Sequence, residues 1–106
     1  MISIDREWLE RMSALYQERL AVEAEIKNPK FIYGGKTISD GLKQRAREID
    51  DMLEAWYAFR AGFPREDRDV IDAFILYSTT AMRAASLYMT PRTYQRRVQA
   101  ILEKYK

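Results

Sequence analysis

Cysteine and histidine are both absent from this chain of 106 residues. The sequence therefore offers no thiolate, no imidazole and no disulfide, and the usual zinc ligands are missing. Any metal would have to be bound by carboxylate oxygens. These absences exclude most familiar catalytic arrangements, so we expect a protein that is not an enzyme and that uses neither a metal nor a cofactor.

Long apolar segments are missing as well. No run of ~18 apolar residues and no charged-then-apolar leader occurs, so we expect neither a membrane span nor a signal peptide, and hence a cytoplasmic protein. Only 4 glycines and 3 prolines interrupt the chain. Because β-branched alternation is confined to residues 30–38, the predicted fold class is all-α, in one compact or slightly elongated domain.

Charge is distributed unevenly, although the net formal charge is only +2. Residues 1–77 contain 12 Lys and Arg against 15 Asp and Glu, whereas residues 78–106 contain six Lys and Arg against the single acid Glu103. A basic C-terminal segment is typical of nucleic-acid binding, because neutralising phosphates releases their counterions. An ordinary solvated helix face would give the same count, so charge alone leaves both interpretations open.

The first predicted helix extends from about Asp5 to Lys27 and ends there because Asn28-Pro29 forbids its continuation. Its apolar residues recur at spacings of three, four and seven, as in the seam of a coiled coil. These seam residues are Trp8, Met12, Leu15, Val22 and Ile26.

A second predicted helix begins after Ser39 or Asp40 as its cap and extends to about Arg60, before Gly62. Its apolar residues repeat the same rhythm at Leu42, Ala46, Ile49, Leu53 and Trp56. The two seams are expected to pack as an antiparallel helical hairpin within residues 1–62, and the same pairing is open to a second copy of the chain. This hairpin is the predicted oligomerisation or partner-binding unit.

The linker between these helices, residues 28–39, is rich in turn-forming residues and contains Gly34-Gly35. Between Lys27 and Arg47 the cations outnumber the one acid, Asp40. The sequence leaves open whether this basic zone contacts DNA, RNA or protein.

Three shorter helices are predicted in residues 63–106. Pro64 and the acids after it favour the start of a strongly apolar helix, which we expect to be the core element. A short helix follows at about Thr80–Leu87, then a tight turn at residues 88–90, then a last helix that begins at Pro91 with Thr90 as its cap. This succession predicts a helix-turn-helix unit.

The last predicted helix places polar residues opposite its apolar positions Tyr94, Val98 and Ile101. Near the start of a recognition helix such residues contact base edges, where arginine suits guanine, glutamine suits adenine and a threonine methyl suits thymine. The predicted base-reading residues are Arg92, Thr93, Gln95, Arg96 and Gln99. The predicted phosphate contacts are Ser78, Thr79, Thr80, Arg83, Arg97 and Lys104.

Residues 79–102 can be aligned without a gap on the promoter-reading region 4 of bacterial sigma factors, which they resemble in small residues, turn cap and basic last helix. The matching positions are Ala84, Leu87, Met89, Thr90, Arg92, Thr93, Arg96, Arg97 and Val98. With its helical first half and Gly-Gly loop, the chain resembles small phage late-gene regulators of the RinA/ArpU type and compact phage Q-type antiterminators. The resemblance implies a sigma-region-4-like helix-turn-helix in residues 63–106, double-stranded DNA as ligand, and action in the bacterial host cytoplasm.

Two residues depart from that pattern. Arg83 stands where the family usually buries an aliphatic residue, and Tyr88 stands where the turn usually has glycine. A non-glycine residue with a positive φ costs about 1 kcal/mol. Either the turn differs in detail from the family, or it carries this strain.

The expected function is sequence-specific binding of double-stranded DNA by a transcriptional regulator of phage late genes, through activation or antitermination. Host RNA polymerase and a second copy of the chain are the expected protein partners. The alternative is a non-enzymatic protein-interaction module, such as a phage assembly or inhibitor protein, whose C-terminal helices are scaffold. Magnesium or acid-base chemistry at the acids of residues 50–54 and 66–72 is disfavoured, because first-turn acids stabilise a helix dipole and no phosphate-binding loop accompanies them.

Overall fold

The computed structural model describes residues 4–27 and 36–105, with the backbone alone described for residues 36–39. Every regular element in these ranges is a helix, which confirms the predicted all-α class. The helices are α1 (Arg6–Lys27), α2 (Lys36–Arg60), α3 (Arg65–Leu76), α4 (Thr80–Ser86) and α5 (Pro91–Lys104). The predicted linker lies largely outside the described residues.

Helices α1 and α2 pack as an antiparallel hairpin, as the two seams predict. The ring of Trp8, near the start of α1, meets the ring of Phe59, near the end of α2, edge to face at 5.7 Å. Farther along, Arg19 bonds Asp50 at 2.9 Å between the helix centres. The residues of the predicted seams are buried or half-buried, as expected for a packed interface.

Helix α2 begins four residues earlier than predicted. Ser39 and Asp40 lie within the helix, which starts at Lys36. The prediction of a cap at these positions is therefore wrong. Serine, aspartate and glycine each disfavour a helix interior by less than about 1 kcal/mol, and no proline stands between residues 36 and 40 to stop the backbone.

Helix α3 is the central element, because it packs against α1, α4 and α5. Its buried residues are Val70, Ile71, Ala73, Phe74 and Ile75. On its outer side Asp72 accepts hydrogen bonds from Trp56 Nε1 at 2.9 Å and from Arg60 Nη2 at 2.8 Å. These bonds attach the end of α2 to α3, so the hairpin and the C-terminal helices share one apolar core.

Helices α4 and α5 are joined by a short turn at residues 87–90. Thr79 caps α4 by accepting a hydrogen bond from Met82 N, and Thr90 caps α5 by accepting one from Thr93 N, both at 3.2 Å. Tyr88 has φ 58°, so the turn places a residue with a Cβ atom in the left-handed conformation. Of the three alanines of α4, Ala84 is buried, whereas Ala81 and Ala85 are exposed.

Among the described helices, none combines the length and the apolar character that crossing a bilayer requires.

Candidate nucleic-acid interface

The orientation of α5 is fixed by three buried side chains, Tyr94, Val98 and Ile101, as its periodicity predicts. Val98 and Ile101 pack against α3 so closely that no water-sized space remains between them. The hydroxyl of Tyr94 donates a hydrogen bond to Val70 O at 2.9 Å, and burial raises the pKa of this phenol. With this side anchored, the opposite side of α5 faces solvent.

All five predicted base-reading residues are exposed on α5. At 3.6 residues per turn, Arg92, Arg96 and Gln99 fall within about 60° of one another around the helix axis. Thr93 and Gln95 flank this stripe on either side. The Gln99 amide donates to Glu103 Oε1 at 3.2 Å, so the one acid of the segment contacts the far end of the stripe.

The guanidinium groups of Arg92, Arg96 and Arg97 form no ion pair with a carboxylate of the described residues. Some cations elsewhere are held by acids: Arg45 bonds Glu18 at 2.9 Å. Arg60 bonds Asp72 at 2.8 Å. The arginines of α5 consequently keep their donors available to an external acceptor, with no internal salt bridge to break.

The predicted phosphate contacts do not form one group. Ser78 is exposed at the start of α4, Thr80 is half-buried, and the hydroxyl of Thr79 is engaged as the cap. Arg97 is exposed on the flank of α5 that faces α3. These residues are spread along two helices, so only part of the set can meet one stretch of backbone.

Lys104 is held by an internal carboxylate. Its Nζ donates to Asp67 Oδ2 at 2.8 Å, and Tyr105 Oη donates to the same oxygen at 2.6 Å. Burial opposes ionisation of Asp67, but these two hydrogen bonds and the charges of Lys104 and Arg97 together hold the pKa of the carboxyl below its ordinary value. Lys104 thus connects the end of α5 to the first turn of α3.

Arg83 has a packing role that the sequence signalled only through its departure from the family pattern. Its guanidinium lies 3.8 Å from the centre of the Phe74 ring. Nε donates to Tyr77 O at 2.9 Å, and Nη2 donates to Ser13 Oγ at 3.4 Å. Burial lowers the pKa of this guanidinium. Arg83 is thus half-buried at a position where the sequence resemblance predicts an aliphatic side chain. Its planar guanidinium is accommodated there by stacking on an aromatic ring.

One residue beside α5 was missed by the sequence analysis. Arg6, in the first turn of α1, lines a cleft next to Gln95 and Gln99. Nothing in the local sequence indicates this, because the position of Arg6 depends on α1 packing along α3.

Three of the seven acids considered as an alternative chemical site are engaged in internal bonds: Asp50 with Arg19, Asp67 with Lys104 and Asp72 with Arg60. Within residues 4–27 and 36–105, no three acids are grouped closely enough to form a candidate metal site.

Comparison of the chain with protein-family models, curated proteins and solved structures finds no significant match to any of them.

Proposed function

We propose that this protein is a transcriptional regulator that binds double-stranded DNA in a sequence-specific manner through α4, the turn and α5. The observation that carries the proposal is the solvent-facing stripe of Arg92, Arg96 and Gln99 on a helix whose opposite side is anchored in the core. A rigidly mounted helix with unpaired arginines in its first turns suits entry into a major groove.

The chemistry of the stripe favours base reading over simple charge attraction. An arginine fork matches the two acceptors of guanine, and a glutamine amide matches the donor and acceptor of adenine. In this proposal α5 is the recognition helix, and α4 lies across the backbone in the manner of a sigma-region-4-like unit.

The same proposal places the protein among phage or prophage late-gene regulators that act by activation or antitermination. The α1–α2 hairpin supplies the surface for host RNA polymerase or for a second copy of the chain. The hairpin has three large apolar residues that are exposed to solvent, which supports such contacts: Leu20 is 44% exposed, Met52 41% and Tyr57 50%.

Selection of bound fragments from a phage genome, followed by fluorescence anisotropy on the selected duplex, tests the proposal. Affinity should fall steeply as salt rises, because each neutralised phosphate adds about 0.9 to the slope of log affinity against log salt. A protein that shifts no duplex at low salt would contradict the proposal.

Alanine variants separate base reading from general attraction. Arg92→Ala and Arg96→Ala should each cost about 1–3 kcal/mol on the selected site and relax the preference at one base position. Arg11→Ala is the control, because Arg11 is an exposed arginine of α1 whose removal changes the net charge equally. Equal losses for all three variants would indicate non-specific attraction only.

The exposed apolar residues of the hairpin also favour a second candidate, a non-enzymatic protein-interaction module in which α3–α5 are scaffold. In that case the variants on α5 would retain partner binding, whereas Met52→Glu or Tyr57→Glu would abolish it.

A further inference from the structure

A cleft of about 210 Å³ lies beside α5 and borders the proposed base-reading stripe at Gln99. It is bounded by side chains from three separate helices: Arg6 of α1, Thr80 and Arg83 of α4, and Gln95 and Gln99 of α5. Its floor is apolar and includes Phe74 of α3, the ring on which Arg83 stacks. The cleft therefore combines hydrogen-bond donors on its walls with a rigid base.

The charges around this cleft favour an anion. Arg6 and Arg83 both line the cleft. Burial is the main cause that lowers the pKa of Arg83, and the Arg6 charge makes a smaller contribution in the same direction. Tyr94 and Glu10 act in the opposite direction on the same guanidinium and more strongly than Arg6, but Glu10 forms no ion pair with either arginine. Two guanidinium groups thus line one cleft without an ion pair to any carboxylate of residues 4–27 and 36–105, an arrangement that a phosphate would stabilise by accepting charge-assisted hydrogen bonds.

Two donors of Arg83 are already used inside the protein, by Tyr77 O and Ser13 Oγ. These bonds hold its guanidinium in place before any ligand arrives. Arg6 is exposed and retains its donors, and the Thr80 hydroxyl and the two glutamine amides supply neutral ones. The site accordingly pairs one fixed cation with one adaptable cation.

We propose that this cleft holds a backbone phosphate of the bound DNA, with Arg6 as the residue that closes on it. The inference rests on the proposed function, because Gln95 and Gln99 belong both to the cleft and to the base-reading set. A strand whose bases reach these glutamines brings its own backbone to the cleft, where Arg6 extends the interface onto α1. The N-terminal hairpin then contacts DNA directly as well as serving protein partners.

The test is a salt titration of Arg6→Ala on the selected duplex and on an unrelated duplex. Removal of one phosphate contact should reduce the salt slope by about 0.9 and weaken binding roughly 5- to 10-fold at ~0.1 M salt, equally on both duplexes. Base preference should not change. Arg11→Ala, on a different side of α1, should leave the slope at its original value, and Glu10→Gln should tighten binding.

The outcomes distinguish this inference from the proposed function. If the original protein binds DNA and Arg6→Ala behaves like Arg11→Ala, the phosphate site is refuted while the base-reading proposal stands. If the original protein binds no duplex, both fail together. A titration with inorganic phosphate alone, monitored by the side-chain amide NMR signals of Gln95 and Gln99, tests whether the cleft binds a free anion. If free phosphate saturates the cleft while Arg6→Ala leaves DNA binding unchanged, the proposed backbone-phosphate site is refuted.

Discussion

At the scale of single residues, Tyr88 is the clearest case of local conflict between side chain and backbone. It occupies the left-handed region with φ 58°, yet its side chain is 99% exposed and contributes no packing. A residue with a Cβ atom is disfavoured here by about 1–2 kcal/mol relative to glycine. The turn therefore tolerates the tyrosine at a cost in the free energy of unfolding.

Replacement of this tyrosine should reveal that cost. Because both variants lose the same exposed ring, Tyr88→Gly should be more stable than Tyr88→Ala by about 1 kcal/mol in urea denaturation. Ala55→Gly, at an exposed site inside α2, is the control and should lose about 1 kcal/mol. A Tyr88→Gly variant less stable than Tyr88→Ala would mean that the turn does not hold the left-handed conformation.

Tyr94 is the opposite kind of residue, because its side chain is buried and its hydroxyl bonds Val70 O. Tyr94→Phe should lower the free energy of unfolding by about 1 kcal/mol at neutral pH, the usual net value of one buried hydrogen bond. Tyr88→Phe removes an exposed hydroxyl and should have no measurable effect. Chemical denaturation of the three proteins checks this.

The raised pKa of Tyr94 also predicts how stability depends on pH. A phenol whose pKa is higher in the folded state stabilises the fold below its unfolded pKa of about 10, and the stabilisation is lost as pH rises from there toward the folded pKa. The free energy of unfolding should therefore decrease above pH ~10, and less steeply in Tyr94→Phe. Identical slopes for the two proteins between pH ~9.5 and ~11 would contradict the assigned burial.

At the scale of helices, the sequence predicted those ends that local chemistry determines. The start of α5 follows from Thr90-Pro91 alone, since the hydroxyl caps the first turn and proline needs no hydrogen-bond acceptor. The start of α2 was mispredicted because Ser39 is compatible with both a cap and a helix interior. The local sequence determines where a helix begins or ends only if a residue at that point is incompatible with any other position of the helix end.

The cap of α5 provides a test at this scale. Thr90→Ala should destabilise the protein by about 1 kcal/mol, because the N–H of Thr93 loses its acceptor, whereas Thr90→Ser retains the oxygen and should stay within about 0.5 kcal/mol of the original. Both free energies come from urea denaturation. Equal stability of the two variants would show that the cap contributes nothing.

The candidate site was predictable to a similar extent. The exposure of Arg92 and Arg96 follows from helical periodicity once Tyr94 and Val98 are placed in the core. The cleft at Arg6 was not predictable, since it forms only when α1 lies beside α4 and α5. Contacts between residues distant in sequence depend on packing angles that no single segment encodes.

At the scale of the whole molecule, α1 connects the two halves of the chain. It packs against α2 on one side and α3 on the other, and Gln17 Nε2 donates to Leu76 O at 3.0 Å. Arg19 and Glu18 hold α2 through ion pairs, while Ser13 receives a hydrogen bond from Arg83 of α4. Helix α1 thus packs the hairpin against α3 and bonds α4, which suits the proposed function, in which the hairpin would bind a partner while α5 binds DNA.

A single α5 offers only the five proposed base-reading side chains, few for a site that must be distinguished within a genome, so we predict that the protein binds DNA as a homodimer. Two copies would read half-sites about one helical turn, ~10 base pairs, apart. Light scattering at high protein concentration should then give twice the chain mass of 12.5 kDa.

If the hairpin carries the contact, Met52→Glu or Tyr57→Glu should restore the monomer, whereas Met82→Glu, at an equally exposed site on α4, should not. The monomeric variant should bind an isolated half-site with unchanged affinity and lose cooperativity on the paired site, while a monomer mass for the original chain would refute the dimer.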